Sequence, residues 1–138
     1  MQIEINKKQF RRLVDMVYIG NWVLNSTREF GDRITEYDDA ESALLSHCGD
    51  AGMDALAAAT PFGGFKPSQA FQDGGIHEAI ADYEDAVFFD ILAQELARRD
   101  MEEAGLAADD VTELNRRCDE YMDEFEANGV TNITLEKP

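Results

Sequence analysis

The sequence predicts a mainly α protein, a single-domain bundle of about four principal helices with a small two-stranded sheet pairing the N- and C-terminal strands. Three observations carry this expectation. Apolar residues recur at three- and four-residue steps through most of the chain, the spacing of helices that bury one face. The stretch from Ile76 to Arg99 is amphipathic at its start and apolar nearly all round at Val87–Leu92. Such a helix should run into a core and be surrounded by other elements. Met1–Ile5 alternates in strand fashion and Val130–Leu135 is rich in β-branched residues, so the two ends read as strands that pair.

Taken in order, Asn6 is a good N-cap for a helix starting at Lys7. Phe10, Leu13, Val14, Val17, Tyr18 and Leu24 keep helical spacing, and the helix should end between Asn25 and Arg28. Gly20 lies inside it at a cost of about 1 kcal/mol relative to alanine, which suggests close approach by another helix. A second helix is expected over Ile34–Cys48, with Tyr37, Ala40, Glu41, Leu44, Leu45 and Cys48 along one side and Gly49 as its stop. Met53–Ala59 reads as a short alanine-rich helix ended by Thr60-Pro61. Residues 61–75 hold four of the ten glycines and two of the three prolines, a Gly/Pro/Phe-rich loop of the length that is often functional. Asp73 is placed to cap the central helix. Past a turn at Gly105, Asp109 or Asp110 caps a last helix carrying Val111, Leu114, Cys118, Tyr121, Met122 and Phe125, stopped by Asn128-Gly129. Two strands alone are marginal, so the terminal pair should lie on the helices.

At 138 residues one domain spanning 1–138 is expected. Its 29 acids and 12 bases give a net charge of −17. Residues 1–72 contribute −3 and residues 73–138 contribute −14. A field of that sign repels phosphate backbones, so direct nucleic-acid binding is not expected. It would attract a basic protein, or simply keep the chain soluble. No apolar run approaches the roughly 20 residues that span a bilayer, so no membrane role is expected. MQIEINKKQF lacks the apolar stretch of a signal peptide, which points to the cytoplasm. Cys48 and Cys118 are 70 positions apart without CxxC spacing and read as reduced thiols.

The chemistry-bearing motifs are mostly absent. Neither His47 nor His77 has glutamate three residues before it, and His77-Glu78 is followed by Ala81 where HExxH needs histidine. No metal site and no cofactor are therefore expected. His47 and Cys48 are adjacent, and neighbouring helical side chains diverge, so no nucleophile–base pair forms there and no catalytic residue is assigned. Gly63–Lys66 lacks the remainder of a phosphate loop. Phe62, Phe65 and Phe71, with Lys66 among them, either dock a partner or fold inward and pin the loop. His77 stands at the loop–helix junction. Asp90 interrupts VFFDIL; if enclosed it needs a partner, and Arg11, Arg12 and Arg33 are the candidates. These six residues, Phe62, Phe65, Lys66, Phe71, His77 and Asp90, form the candidate binding set.

Tyr18-Ile19-Gly20-Asn21-Trp22 places two polar groups, the Asn21 amide and the Trp22 indole N–H, beside an apolar face. The opening IEINKKQFRRLVDMVYIGNWVLNS resembles the start of small uncharacterised bacterial proteins with a strand-helix N-terminus and a Tyr-apolar-Gly-Asn-Trp signature. The resemblance covers about the first 25 residues. It implies a bacterial, cytoplasmic origin and carries over no activity and no functional residue. The sequence thus leads to an acidic, non-enzymatic interaction or regulatory protein that binds a basic protein partner or itself, as a homodimer. The alternative is a small ligand-binding protein or enzyme with a pocket at the 61–77 loop–helix junction.

Overall fold

A computed structural model describes residues 1–136. In chain order it contains α1 (Lys7–Asn25), α2 (Thr35–Leu45), β1 (Ala57–Ala59), β2 (Phe65–Pro67), the single turn α3 (Gln69–Phe71), α4 (His77–Glu103) and α5 (Val111–Asn128). The protein is mainly helical, with four principal helices and a small two-stranded antiparallel sheet, as the sequence predicts. The sheet's position differs. Ala57, Ala58 and Ala59 pair with Pro67, Lys66 and Phe65, so the hairpin lies inside the segment read as alanine-rich helix and loop. Neither terminal segment is a strand. After α5 the backbone closes local turns instead, Thr131 N–H to Asn128 O (3.2 Å) and Ile133 N–H to Val130 O (3.1 Å).

Two compact units are distinguished, Met1–Ile80 and Ala81–Pro138. In the first, α1 starts at a capping box in which the Asn6 carbonyl oxygen accepts from Gln9 N–H (3.0 Å) and Gln9 Oε1 from Asn6 N–H (2.9 Å). One stripe of α1 is buried along its whole length, but its chemistry changes on the way: Phe10 and Val14 first, then Asn21 and Asn25. The apolar half joins Leu45, Cys48, Phe71 and Ile76 in the core. A Cβ added at Gly20 would meet nothing within 4 Å, so this glycine does not mark the close helix approach expected of it.

α2 is shorter than predicted, because after Leu45 the chain tightens into successive turns from Ser46 to Gly52. Met53–Ala59 is not a helix: one 3₁₀ turn at Asp54–Leu56 leads directly into β1. The hairpin is tied down by hydroxyls. Phe65 N–H donates to Ser42 Oγ (2.9 Å), and Ser68 Oγ both donates to Ala55 O and accepts Phe71 N–H (3.0 Å). These bonds explain why a glycine-rich segment is ordered. Asp73 does not cap α4; it accepts a bond from Gln69 Nε2 (2.9 Å). The start of α4 is made by a five-residue π-type turn, Gln72–Ile76, that bends at Gly75, whose φ of 101° suits glycine alone.

In the second unit α5 is capped by Asp110, whose carboxylate accepts Glu113 N–H (3.0 Å). Its buried set is small: Ala93, Ala97 and Met101 from α4 and Phe125 from α5. Phe125 lies between Phe89 (ring centroids 5.5 Å apart) and Tyr121 (5.9 Å). The Tyr121 hydroxyl donates to Asp100, which also accepts from Arg99 (2.7 Å). Burial would raise the Asp100 pKa, but these bonds outweigh it and hold it below the usual carboxylate range. The Val87–Leu92 run is not surrounded, contrary to the sequence expectation. Phe88 is 52% and Ile91 54% exposed, because burial is confined to the side that carries Ala93, Ala97 and Met101, with Phe89 and Leu92 half-buried beside it.

Candidate functional site

The polar half of the α1 stripe builds an unusual contact with α2. The helix lacks a side-chain cap at its own N-cap, Ile34. Asn25, from α1, instead holds the backbone of Ile34 itself. Its Oδ1 accepts Ile34 N–H (2.9 Å) and its Nδ2 donates to Ile34 C=O (3.1 Å), a pairing that imitates a backbone ladder. Asn25 Nδ2 also donates to Asn21 Oδ1 (2.7 Å), which fixes the orientation of the Asn21 amide. Asn21 Nδ2 is thereby aimed at two carboxylates one helical turn apart, Asp38 Oδ1 (2.9 Å) and Glu41 Oε2 (3.3 Å).

These two acids are treated differently. Asp38 receives a two-pronged bond from Arg33, Nε to Oδ2 (2.6 Å) and Nη2 to Oδ1 (2.7 Å). The Arg33 guanidinium holds the Asp38 carboxyl below its usual range, against the opposing effect of burial. Glu41 has no such partner. Its Oε1 is buried and makes no hydrogen bond, and burial pushes its pKa above the usual carboxylate range. Among the described residues no other buried side-chain polar atom is left without a partner.

Above Glu41 opens a cleft of about 360 Å³. Tyr18 and Trp22 from α1, Phe65 and Pro67 from β2, and Gln72 form its apolar and rim surfaces; Asn21, Asp38 and Glu41 line it from below. The Tyr18 hydroxyl is hydrogen-bonded to His77 Nε2 (2.7 Å), and its ring packs edge-on to Phe71 (5.1 Å). Burial, with the neighbouring Glu41 charge, raises the Tyr18 pKa.

The six predicted site residues therefore separate. Phe65 and Lys66 line the cleft, and His77 orients one of its walls. Phe71 is a core residue at 3% exposure, with the Arg11 guanidinium 5.2 Å from its ring centroid. Phe62 is 98% exposed at the hairpin tip. Asp90 lies in the second unit, exposed, so the enclosed ion pair expected for it does not form. Arg11 and Arg12 pair instead with Asp15, and Arg33 with Asp38. The residues missed were Asn25, Arg33, Asp38 and Glu41. Glu41 did leave a signal: it is the one acid on the otherwise apolar side of the second predicted helix.

A second feature belongs to α4 alone. Tyr83, Val87 and Ile91 follow one another at four-residue steps with Phe88 beside them, and Tyr83 is 64% exposed. Glu84, Asp85 and Asp90 stand among these side chains, and none has an ion-pair partner among the described residues.

Among the described residues no cluster of three or more His, Cys, Asp or Glu could hold a metal ion, and no helix is long and apolar enough to cross a membrane. Cys48 and Cys118 are free, and burial raises both thiols above their ordinary pKa. Fold and site together define a mainly helical protein with a polar-floored cleft between α1, α2 and β2 and an exposed apolar stripe on α4. Comparison with protein-family models, curated proteins and solved structures returns no match to this chain.

Proposed function

We propose that this is an acidic, non-enzymatic interaction protein whose α4 face docks a basic amphipathic surface. The observation that carries the reading is the stripe of exposed Tyr83, Phe88 and Ile91 around half-buried Val87, interleaved with Glu84, Asp85 and Asp90, which have no ion-pair partner among the described residues. Large apolar side chains gain most when covered. The acids around them favour Lys- and Arg-rimmed partners and repel acidic ones. The small buried set of the second unit supports the same reading, since two helices sharing so few buried side chains gain stability from a further packing partner.

The chain itself carries a surface of the required kind. In the first unit, Ile3, Ile5, Leu13, Met16 and Met53 line an open apolar groove whose rim is Lys7, Lys8, Arg11 and Arg12. A second copy is therefore the first partner to test, with the groove of one chain receiving the α4 face of another. Sedimentation at about 100 µM protein should show reversible assembly that weakens as salt rises. Ile91→Glu in α4 and Leu13→Glu in the groove should each abolish it. A monomer at low salt, or assembly indifferent to both substitutions, would reject self-association. Failure to bind any Lys- and Arg-rich amphipathic peptide as well would reject the interaction reading altogether.

A bacterial and cytoplasmic setting is part of the same proposal and adds no site to it.

A further inference from the structure

Independently of any docking at α4, we propose that the cleft between α1, α2 and β2 is a binding site for a small organic cation, an ammonium or guanidinium group on a short apolar body, with Glu41 as its charge partner. The argument starts from what each group in the cleft already has. Asp38 accepts from Arg33 through both oxygens and from Asn21, so its charge is answered. Glu41 shares the same Asn21 amide at 3.3 Å through Oε2 only, and its Oε1 accepts nothing. A half-buried carboxylate held by a single 3.3 Å bond is costly, and a donor meeting Glu41 from the cleft it lines recovers part of that cost. A cationic donor recovers most, because it answers the charge and the hydrogen bond together.

The walls select what the cation is attached to. The Tyr18, Trp22 and Phe65 rings bound the space above Glu41, and aromatic faces attract both apolar groups and organic cations. At about 360 Å³ the cleft lies near the small end of ligand sites, which suits an amine with one ring or a short chain. The lining holds two cations: Arg33, already engaged by Asp38, and Lys66, which stands beside Phe65 on β2 and has no ion-pair partner among the described residues, so the preference for a cation rests on the Asn21, Asp38 and Glu41 floor. His77 acts as a positioning residue: through its 2.7 Å bond to the Tyr18 hydroxyl it holds one wall, and it does not line the cleft itself.

Trp22 is the only tryptophan, so its emission reports on this site without interference. The full chain is titrated with benzylamine and with benzyl alcohol, its neutral isostere. Benzylamine should give a saturable change in Trp22 emission, with the alcohol at least about tenfold weaker. Glu41→Gln should erase that preference while the chain remains folded by circular dichroism. His77→Ala should weaken both probes by a similar, smaller factor, since it loosens a wall and leaves the charge. The side-chain amide resonance of Asn21 in the unaltered protein gives a second readout that does not depend on any variant folding. It should shift on addition of benzylamine and not of the alcohol. No saturable change with benzylamine, equal response to the alcohol, or an amine preference surviving Glu41→Gln would each overturn the proposal. Ile91→Glu, which breaks the proposed α4 docking, should leave benzylamine binding unchanged, so the two readings fail separately.

Discussion

The α1–α2 contact and the outward face of α4 violate the ordinary apolar-in, polar-out rule in opposite directions. The first buries Asn21 and Asn25 and answers almost every polar atom it encloses; Glu41 Oε1 is the exception. The second exposes Tyr83, Phe88 and Ile91 and leaves the acids among them without ion partners among the described residues. The two cases differ in what they need. A buried network is complete within one chain and rigid once formed. An exposed apolar face is incomplete until something covers it. In the proposed reading structure and interaction fall to different helices, and Glu41 is the place where the buried network itself remains open.

The sharpest way to separate the two regions is to truncate a large side chain in each. Phe71→Ala removes a core ring packed on Tyr18 and should cost about 4 kcal/mol in urea unfolding. Phe88→Ala, in α4, should change stability by no more than about 0.5 kcal/mol and weaken assembly instead. Next in size is Asn25→Ala, expected to cost about 3 kcal/mol because Ile34 N–H and Asn21 Oδ1 both lose their partner and Ile34 C=O keeps only the 3.3 Å bond from Tyr37 N–H. A loss no greater than that of an exposed asparagine would mean water replaces the clamp freely.

Smaller is the effect of pH through Glu41. Its folded pKa lies above the unfolded value near 4.5, so ionising it costs the folded state. Its contribution to stability is therefore fully present below that value and is lost as pH rises through the folded pKa. Glu41→Gln should melt higher than the unaltered chain at neutral pH, with the difference closing on acidification. Asp38 has the opposite sign: its lowered pKa stabilises above the unfolded value, and this is lost as pH falls through the folded one. Asp38→Asn should accordingly melt lower at neutral pH. If both variants shift the same way, the Arg33 bond does not distinguish the two acids as described. The smallest effect is expected from Asp90→Asn, which should leave the melting temperature unchanged and weaken only the salt-sensitive part of assembly.

The helices were legible because their signals are local. Asn6 before Lys7, the three–four spacing of Val111 to Phe125, and Asn128-Gly129 each act within one or two turns, and the helices form where these mark them. The hairpin was not legible. Ala57–Ala59 has low strand preference, and its strand state depends on Ser42 and Ser68 hydroxyls that come from other segments. The cleft was half visible. Phe65, Lys66 and His77 were singled out from composition and position, whereas Arg33 and Asp38 read as ordinary surface charges until their pairing beside Asn21 was seen.

By itself, then, the sequence determined where helices start and stop, the acidic imbalance of the second half, and the absence of recognisable metal or nucleophile motifs. Only the tertiary structure decided which faces of those helices are covered. Spacing places Phe88 and Phe89 equally well in a core, yet Phe89 packs on Phe125 and Phe88 does not. It places Glu41 on an apolar stripe without saying that its neighbour Asp38 takes the arginine. The periodicity that makes a helix is a property of a few adjacent residues. Burial and charge pairing depend on residues far along the chain, such as Asn25 on Ile34 or Tyr18 on His77, 59 positions apart. That difference in range is why the elements could be read directly and the site could not.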